Sequence, residues 1–355
     1  MIISDNEKFE NKKALERENS NLSASCILDD DCYEKNIRPL NFQDYVGQNN
    51  IKENLKISIE ACKKRNAVLD HLLFYGPPGL GKTTLASIIA NELNTSIKIT
   101  SAPSIERPRD IIGILMQIKE GDVLFIDEIH RLNKIAEEIL YPAMEDFSLD
   151  LTTGKLQTVK TMRVSIPKFT LIGATTKAGS ISGPLRDRFG MVYRLEYYST
   201  EELATIIERT AGILELKIEN EAAVLIAQRS RCTPRIANRL IKRCSDWAIV
   251  KGNGKITSEI VINALNALEI DEIGLDYVDR NLLKIMIEQF EGKAVGIETL
   301  AVALGEDSRT IEDVYEPYLI QKGLIARTPR GRKPTQLAYK HLNIKKEASQ
   351  LGLFD

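Results

Sequence analysis

The sequence predicts an α/β domain built on a parallel sheet, then an all-helical domain, then a winged helix. Three observations predict it. Between Pro39 and about Tyr198, short β-prone apolar runs alternate with helical stretches, the order that gives parallel strands with crossover helices. From Thr200 to about Leu268 apolar residues recur three and four apart. From Asp276 on, three helical stretches precede a short strand and a basic Pro/Gly turn. At 355 residues the chain is also too long for one ordinary core.

The elements follow in order. Residues 1–36 are acidic on balance and poor in large apolar residues, so they are expected to form a flexible acidic extension. The large domain is assigned to 37–198, with strands at His71–Tyr75, Ser96–Thr100, Asp122–Ile126, Phe169–Ala174 and Met191–Leu195. Helices are expected between them at Ile51–Cys62, Lys82–Glu92, Arg109–Ile118 and Lys134–Met144. Ser148–Ile166 interrupts the alternation: two β-prone arms flank Thr152-Thr153-Gly154-Lys155, which predicts an inserted hairpin. The helical domain, 199–269, opens with Ser199 as N-cap ahead of Glu201 and Glu202. After a linker near Glu269–Gly274, the winged helix, 272–355, is expected to use helices Asp279–Phe290, Ile297–Leu304 and Ser308–Gln321, strand Leu324–Arg327 and turn Thr328–Pro334.

Composition excludes several classes. No apolar run approaches the roughly 20 residues a membrane helix needs. Met1–Ile3 runs straight into Asp5, Glu7 and Lys8, without the apolar core of a secretory signal. The five cysteines (Cys26, Cys32, Cys62, Cys232, Cys244) include no C-x-x-C pair, which argues against a disulfide framework or zinc site and fits a reduced cytoplasmic compartment. The formal net charge is only −2, yet Lys322, Arg327, Arg330, Arg332, Lys333, Lys340, Lys345 and Lys346 lie in a stretch without an acidic residue. Such a run is either a solvated surface or a phosphate-binding one.

The strongest chemical signal is Gly76-Pro77-Pro78-Gly79-Leu80-Gly81-Lys82-Thr83-Thr84, a full G-x-x-x-x-G-K-[ST] match between a predicted strand and a predicted helix. Side chains at Gly79 or Gly81 would keep backbone N–H groups from closing on phosphates. Lys82 adds a charge for the β/γ oxygens, Thr83 a hydroxyl for Mg²⁺, and the helix N-terminus its partial positive charge. ATP with Mg²⁺ is the implied cofactor. Asp122-Val-Leu-Phe-Ile-Asp127-Glu128 supplies the second half: an apolar central strand delivers Asp127 to the sheet's C-terminal edge for Mg²⁺, and Glu128 to orient or deprotonate water. His71 is expected to start a buried strand and His130 to lie just outside the site; neither is assigned to chemistry.

The order phosphate loop, Asp-Glu, polar strand end, Arg-rich turn and helical domain with an early arginine resembles the AAA+ ATPases, rings in which one subunit's arginine completes its neighbour's site. On that resemblance Thr176 is the sensor that positions water, Arg188 in Pro184-Leu-Arg186-Asp-Arg188-Phe-Gly the trans-acting finger, and Arg235 in Thr233-Pro234-Arg235 the cis sensor.

Within that superfamily the chain resembles the RuvB family. The resemblance rests on Ile37-Arg38-Pro39-Leu40, Tyr45-Val-Gly-Gln48, Asp127-Glu-Ile-His-Arg-Leu132, Leu140-Tyr-Pro-Ala-Met-Glu-Asp146, Thr233-Pro-Arg-Ile-Ala-Asn-Arg239, Glu316-Pro-Tyr-Leu-Ile-Gln321 and Arg327-Thr-Pro-Arg-Gly-Arg332. It runs from about Ile37 to Tyr339, and implies an α/β P-loop AAA+ domain, a helical lid and a winged-helix head. It further implies a homohexamer on duplex DNA driving branch migration of Holliday junctions, with RuvA holding the junction and RuvC cutting it. Ile37, Arg38, Tyr198 and Pro234 would line the adenine and ribose side. Glu145, Asp146 and Phe147 are also assigned to the nucleotide, Arg327, Arg330 and Arg332 to DNA phosphates, and Met162 and Val164 of the hairpin to RuvA. The family pattern departs at residues 1–36 and in the hairpin, which matches only in placement.

Two other classes share parts of this organisation. A replication initiator or loader has the same domain order but should read bases through helix Ser308–Gln321, whose face instead carries Glu312, Asp313 and Glu316. A transcriptional regulator with an ATPase core would need a receiver domain that the short acidic N-terminus does not provide.

Overall fold

The computed structural model describes residues 37–153 and 160–345. The expected extension 1–36 with Cys26 and Cys32, the turn residues Gly154 and Lys155, and the tail from Lys346 lie outside them.

The large domain has strands β1 (Leu72–Tyr75), β2 (Ile97–Ser101), β3 (Val123–Asp127), β4 (Ser148–Thr153), β5 (Lys160–Ser165), β6 (Thr170–Thr175) and β7 (Met191–Arg194). Five of them form one parallel sheet in the order β2-β3-β6-β1-β7. Helices α1 (Asn49–Arg65), α2 (Lys82–Leu93), α3 (Pro108–Met116) and α4 (Lys134–Glu145) cover it. Because both faces are covered, β3 is apolar without alternation, and its successive residues still divide by face. Val123 and Phe125 join a core with Phe74, Ile88 and Ile172, whereas Leu124 and Ile126 join one with Leu73, Leu140 and Leu171. The five expected strands are all present with slightly shifted ends. Strands β4 and β5 form the expected hairpin, but Thr152 and Thr153 belong to β4, so the turn comes later than the sequence suggested.

After the short α5 (Gly183–Arg186) of the large domain, the lid consists of α6 (Thr200–Ile213), α7 (Asn220–Gln228), α8 (Pro234–Lys251) and α9 (Ser258–Ala267). Ser199 caps α6 by accepting from the Glu202 N–H at 3.2 Å, and Glu202 accepts in return from the Ser199 N–H at 2.9 Å. Such a cap contributes about 1 kcal/mol. The lid is not wholly helical, as had been expected: β8 (Lys217–Ile218) and β9 (Lys255–Ile256) pair in parallel. Two residues per strand are too few to show a period. Leu203, Ile207 and Leu240 share a core with Phe74 and Leu80, so lid and large domain pack as one hydrophobic unit.

The head has its own core, including Leu283, Met286, Leu300, Ile311, Leu319 and Leu324. Its helix α10 (Tyr277–Lys284) runs on through a π-type turn, Ile285–Gln289, to α11 (Ile297–Leu304). Helix α12 begins at Ser308–Thr310, widens into a second π-type turn, Ile311–Tyr315, and ends as Glu316–Gln321. Strands β10 (Ile325–Thr328) and β11 (Gly331–Pro334) form the wing, and α13 (Gln336–His341) follows. Gly331–Pro334 was expected in a turn; it becomes a strand because it pairs antiparallel with β10, Ile325 with Pro334 through Thr328 with Gly331. Arg332 adds two main-chain hydrogen bonds with Val295, at 2.8 and 2.9 Å. A polar cluster joins lid to head. Arg231 donates to the Gly274 carbonyl at 2.8 Å and to Asp276 at 2.9 Å, reaches Asp279, and lies 5.4 Å from the Tyr318 ring centre.

Candidate nucleotide site and DNA-facing surfaces

Strand order assembles the site. β1 lies beside β6, and β6 beside β3, so the loop after Tyr75, the residues after Thr175 and the end of β3 leave the sheet along one edge. Gly79 and Gly81 have φ of 80° and 96°, where side chains strain the backbone. A Cβ on Gly81 would stand 2.9 Å from the Tyr45 hydroxyl, and one on Gly79 3.1 Å from Arg235 Cβ. The loop is therefore a cradle that fits a phosphate chain. Lys82 opens α2, is 8 % exposed, and donates to the carbonyls of Gly76 at 2.8 Å and Pro77 at 2.9 Å. Burial draws its pKa down; the charges of Glu128 and Asp127 oppose that.

Most of the residues assigned from the sequence meet in one cleft. Gly79, Gly81, Lys82, Thr83, Thr84, Asp127, Glu128 and Thr176 line its large-domain side, with Ile37, Arg38, Tyr198, Pro234 and Arg235 around them. Among the described residues no cluster of three or more His, Cys, Asp or Glu could hold a metal by itself. Thr83 with Asp127 matches the sparse protein ligation of Mg²⁺ bound beside phosphates.

Glu128 sits on strained backbone, with φ of 47°. Its carboxylate accepts from the Thr176 hydroxyl at 3.1 Å and from the Thr176 N–H at 3.3 Å. His130 Nδ1 lies 3.2 Å from the same Glu128 oxygen and 2.8 Å from the Thr175 hydroxyl. That hydroxyl already accepts from the Lys177 N–H at 2.9 Å. A bare nitrogen lone pair would repel the carboxylate, so the proton belongs on Nδ1. Burial lowers the His130 pKa, while Glu128 and Asp313 raise it and Lys177 and Arg131 lower it further. His71, by contrast, is structural: Nδ1 accepts from the Leu171 N–H at 2.9 Å and Nε2 donates to the Met144 carbonyl at 3.0 Å.

Tyr45 and Arg209 are among the members of the cleft to which the sequence reading gave no role. Tyr45 accepts from the Tyr198 hydroxyl at 3.0 Å, and both hydroxyls face the Leu80 carbonyl. Burial pushes the Tyr198 phenol up to about 12. Tyr45 was quoted within a matching block, without a role. Arg209, on α6, donates to the Ile37 carbonyl at 2.9 Å and so ties the lid to the segment that enters the large domain. Among the charges of an amphipathic helix, nothing distinguished it.

The comparisons with known proteins agree over the described chain. Three family models match in succession: the Holliday junction DNA helicase RuvB P-loop domain over 37–195, the RuvB AAA lid domain over 198–271 and the RuvB C-terminal winged helix domain over 272–343. The chain belongs to the RuvB family. The Holliday junction branch migration complex subunit RuvB of Microcystis aeruginosa is 56 % identical over 308 residues, 87 % of this chain and 86 % of that protein. The Thermotoga maritima RuvB Holliday junction branch migration motor superposes with a TM-score of 0.79 at 48 % identity, covering 87 % of this chain and 99 % of that one. A mutant of the same Thermotoga protein gives 0.80 at 49 % identity with the same coverage.

Of the residues assigned to the nucleotide, Gly76 does not line the cleft but accepts from Lys82, and Arg188, Glu145, Asp146 and Phe147 lie away from it. Arg188 donates to the Pro184 carbonyl at 2.6 Å, pairs with Glu145 at 3.1 Å and stacks 4.3 Å over the Tyr141 ring. Glu145, Asp146 and Phe147 had been placed with the nucleotide. They do not line this chain's cleft: Glu145 ends α4 beside Arg188, Asp146 meets Arg163 of β5, and Phe147 packs 6.2 Å from Phe169. Helix α4 packs on the opposite face of the sheet from the phosphate loop's own helix and ends at Glu145, which carries these three residues there.

In the hairpin, Leu149 pairs with Val164 and Leu151 with Met162, which puts the four on one face. Leu149 is buried in the domain's own core and Val164 is half-buried, while Met162 stands 54 % exposed. In the wing, Arg327 donates to Glu316 at 2.7 and 2.9 Å, and Arg332 does so at 3.1 Å through two nitrogens; both also reach Glu312. Arg330 is exposed at the turn. Among the described residues no helix is long and apolar enough to cross a membrane.

Proposed function

We propose that this chain is an ATP-driven motor that migrates four-way DNA junctions as a homohexameric ring, with Mg²⁺ as cofactor and with RuvA and RuvC as partners. One observation carries the reading: a complete set of cis groups, Lys82, Thr83, Asp127, Glu128, Thr176 and Arg235, shares one cleft, while Arg188 stands apart from it. In this reading Lys82 and the loop N–H groups hold the β- and γ-phosphates, and Thr83 with Asp127 would hold Mg²⁺, which would supply charge neutralisation there. Thr176 orients water and Glu128 takes its proton. Arg188 of one subunit, with Glu145, Asp146 and Phe147 at the same edge, meets the γ-phosphate bound by the next. The wing arginines grip backbone phosphates, which suits a motor that must run on any sequence. Met162, with Val164 beside it, is the apolar anchor for RuvA.

The test is ATP-dependent dissociation of a synthetic four-way junction in the presence of RuvA. Glu128→Gln should bind ATP, assemble rings visible by electron microscopy and hydrolyse at least ~10²-fold more slowly. Hydrolysis within about threefold of wild type would remove Glu128 as the base. Asp at both Met162 and Val164 should keep intrinsic ATPase and lose stimulation by RuvA; a folded double variant that is still stimulated excludes the hairpin as the dock.

A further inference from the structure

Head and large domain touch next to the catalytic centre. Lys177 Nζ lies 2.9 and 3.3 Å from the two carboxylate oxygens of Asp313, across 136 residues of sequence. Lys177 is the residue after Thr176. Its own N–H donates to the Thr175 hydroxyl that also meets His130, so both neighbours of this peptide unit touch groups that hold Glu128. Asp313 is equally well placed at its end. It lies in the π-type turn Ile311–Tyr315 together with Glu312, one turn before Glu316. Glu312 and Glu316 are the carboxylates that hold wing residues Arg327 and Arg332.

Both ends of the ion pair are close to half exposed, at 45 % and 47 %. Such pairs contribute little to folding stability. Its worth lies in being a contact that can be strengthened or dropped at small cost, and π-type turns recur where helices carry function.

We propose that the Lys177–Asp313 pair is a latch through which DNA held by the head acts on Glu128. The proposal rests on the reading of the chain as a DNA motor and adds the route of its regulation. Duplex phosphates compete with Glu316 and Glu312 for Arg327 and Arg332. As the arginines turn toward DNA, the negative charge of that helix turn loses its compensation and draws Lys177 more strongly. The pull moves the Thr175–Lys177 loop and takes Thr176 and Thr175–His130 out of their present grip on Glu128, which frees the carboxylate for water. Without DNA, the donors from Thr176 and His130 keep Glu128 parked against them.

The experiment measures ATPase of the full chain with and without random-sequence duplex DNA, alongside duplex affinity by fluorescence anisotropy. Asp313→Ala should keep DNA-free ATPase and duplex affinity within about twofold of wild type, yet lose DNA stimulation by about fivefold or more. Asp313→Asn, which preserves shape, should do the same. Lys177→Ala with Asp313→Ala should be no worse than Asp313→Ala alone, and Lys177→Asp with Asp313→Lys should restore stimulation. Full stimulation in Asp313→Ala and Asp313→Asn, or additive losses in the double variant, overturns the latch. A wild-type protein that duplex DNA does not stimulate at all overturns the motor reading itself.

Discussion

Arg188 and two arginines of the wing, Arg327 and Arg332, are held by carboxylates of their own chain. The two arrangements differ in the way the roles proposed for them, catalytic for the one and gripping for the others, would require. Arg188 rests on Glu145, which is 55 % exposed, and on the face of Tyr141. Its Nε is buried without a hydrogen-bond partner. Arg327 and Arg332 instead share Glu316, which is 1 % exposed and accepts from both. One guanidinium is thus stacked on a ring with a donor unspent, and the other two are each held through two nitrogens by a buried anion. A single developing charge in a transition state rewards fixed geometry. Phosphates along a duplex are many and equivalent, so arginines that exchange one anion for another suffice.

The largest effect that can break this comparison is at Arg188. Arg188→Ala should still bind ATP and lose hydrolysis by about 10³–10⁵-fold. Arg188→Lys should be nearly as poor, because a lysine keeps the charge but loses the planar fork stacked on Tyr141. Mixing Arg188→Ala with Lys82→Ala, which cannot bind nucleotide, should restore part of the activity. An intact phosphate loop then meets an intact finger at one class of interface. Mixtures as inactive as their components would mean that Arg188 acts within its own subunit.

How far the sequence revealed these sites depended on how local they are. The phosphate loop was readable because its glycines, Lys82 and Thr83 are contiguous and flanked by β1 and α2. Asp127 and Glu128 were readable because an uninterrupted apolar strand leads to them. The parking of Glu128 was not: it depends on a left-handed residue and on His130 reaching Thr175, 45 positions away. Glu145 was assigned to the nucleotide and lies beside Arg188 outside this chain's own cleft, because its helix packs on the opposite face of the sheet from the helix that follows the phosphate loop. In the wing, the run of basic residues was plain, whereas its buried counter-charge, Glu316, was read only as an acidic residue on a helix face. Whether a helical carboxylate faces water or an arginine pair is decided by β10 and β11, which lie downstream.

Wing substitutions should give a middle-sized effect. Removing Arg330, exposed at the turn, should lower duplex affinity uniformly across sequences while sparing DNA-free ATPase. It should also flatten the log–log salt dependence by about 0.9 per lost phosphate contact. Arg330→Lys should recover much of this, in contrast to Arg188→Lys, since a phosphate on duplex needs charge more than a stacked plane. Loss for one sequence only would indicate base readout, and would favour an initiator over a motor.

The smallest effect concerns the carboxylates themselves and is read in stability rather than rate. Burial works to raise the Glu316 pKa, but hydrogen bonds and charge from Arg327 and Arg332 outweigh it, and the net shift is downward. A carboxylate whose pKa is lower folded than unfolded stabilises the fold above its unfolded value near 4.3, and loses that contribution as pH falls through the folded pKa. The head should therefore be destabilised by acid between about pH 4.5 and the lower folded value, and Glu316→Gln should flatten the profile there. At neutral pH the same change should cost about 1–3 kcal/mol, because two charge-assisted bonds to a buried acceptor are weakened. Glu145→Gln should leave stability within about 0.5 kcal/mol, as expected for a half-exposed pair. Thermal melts of the two variants across pH 3 to 7 measure both. If Glu145→Gln also proved costly, Arg188 would be anchored as firmly as the wing arginines, and the distinction between a poised arginine and a stored one would not hold.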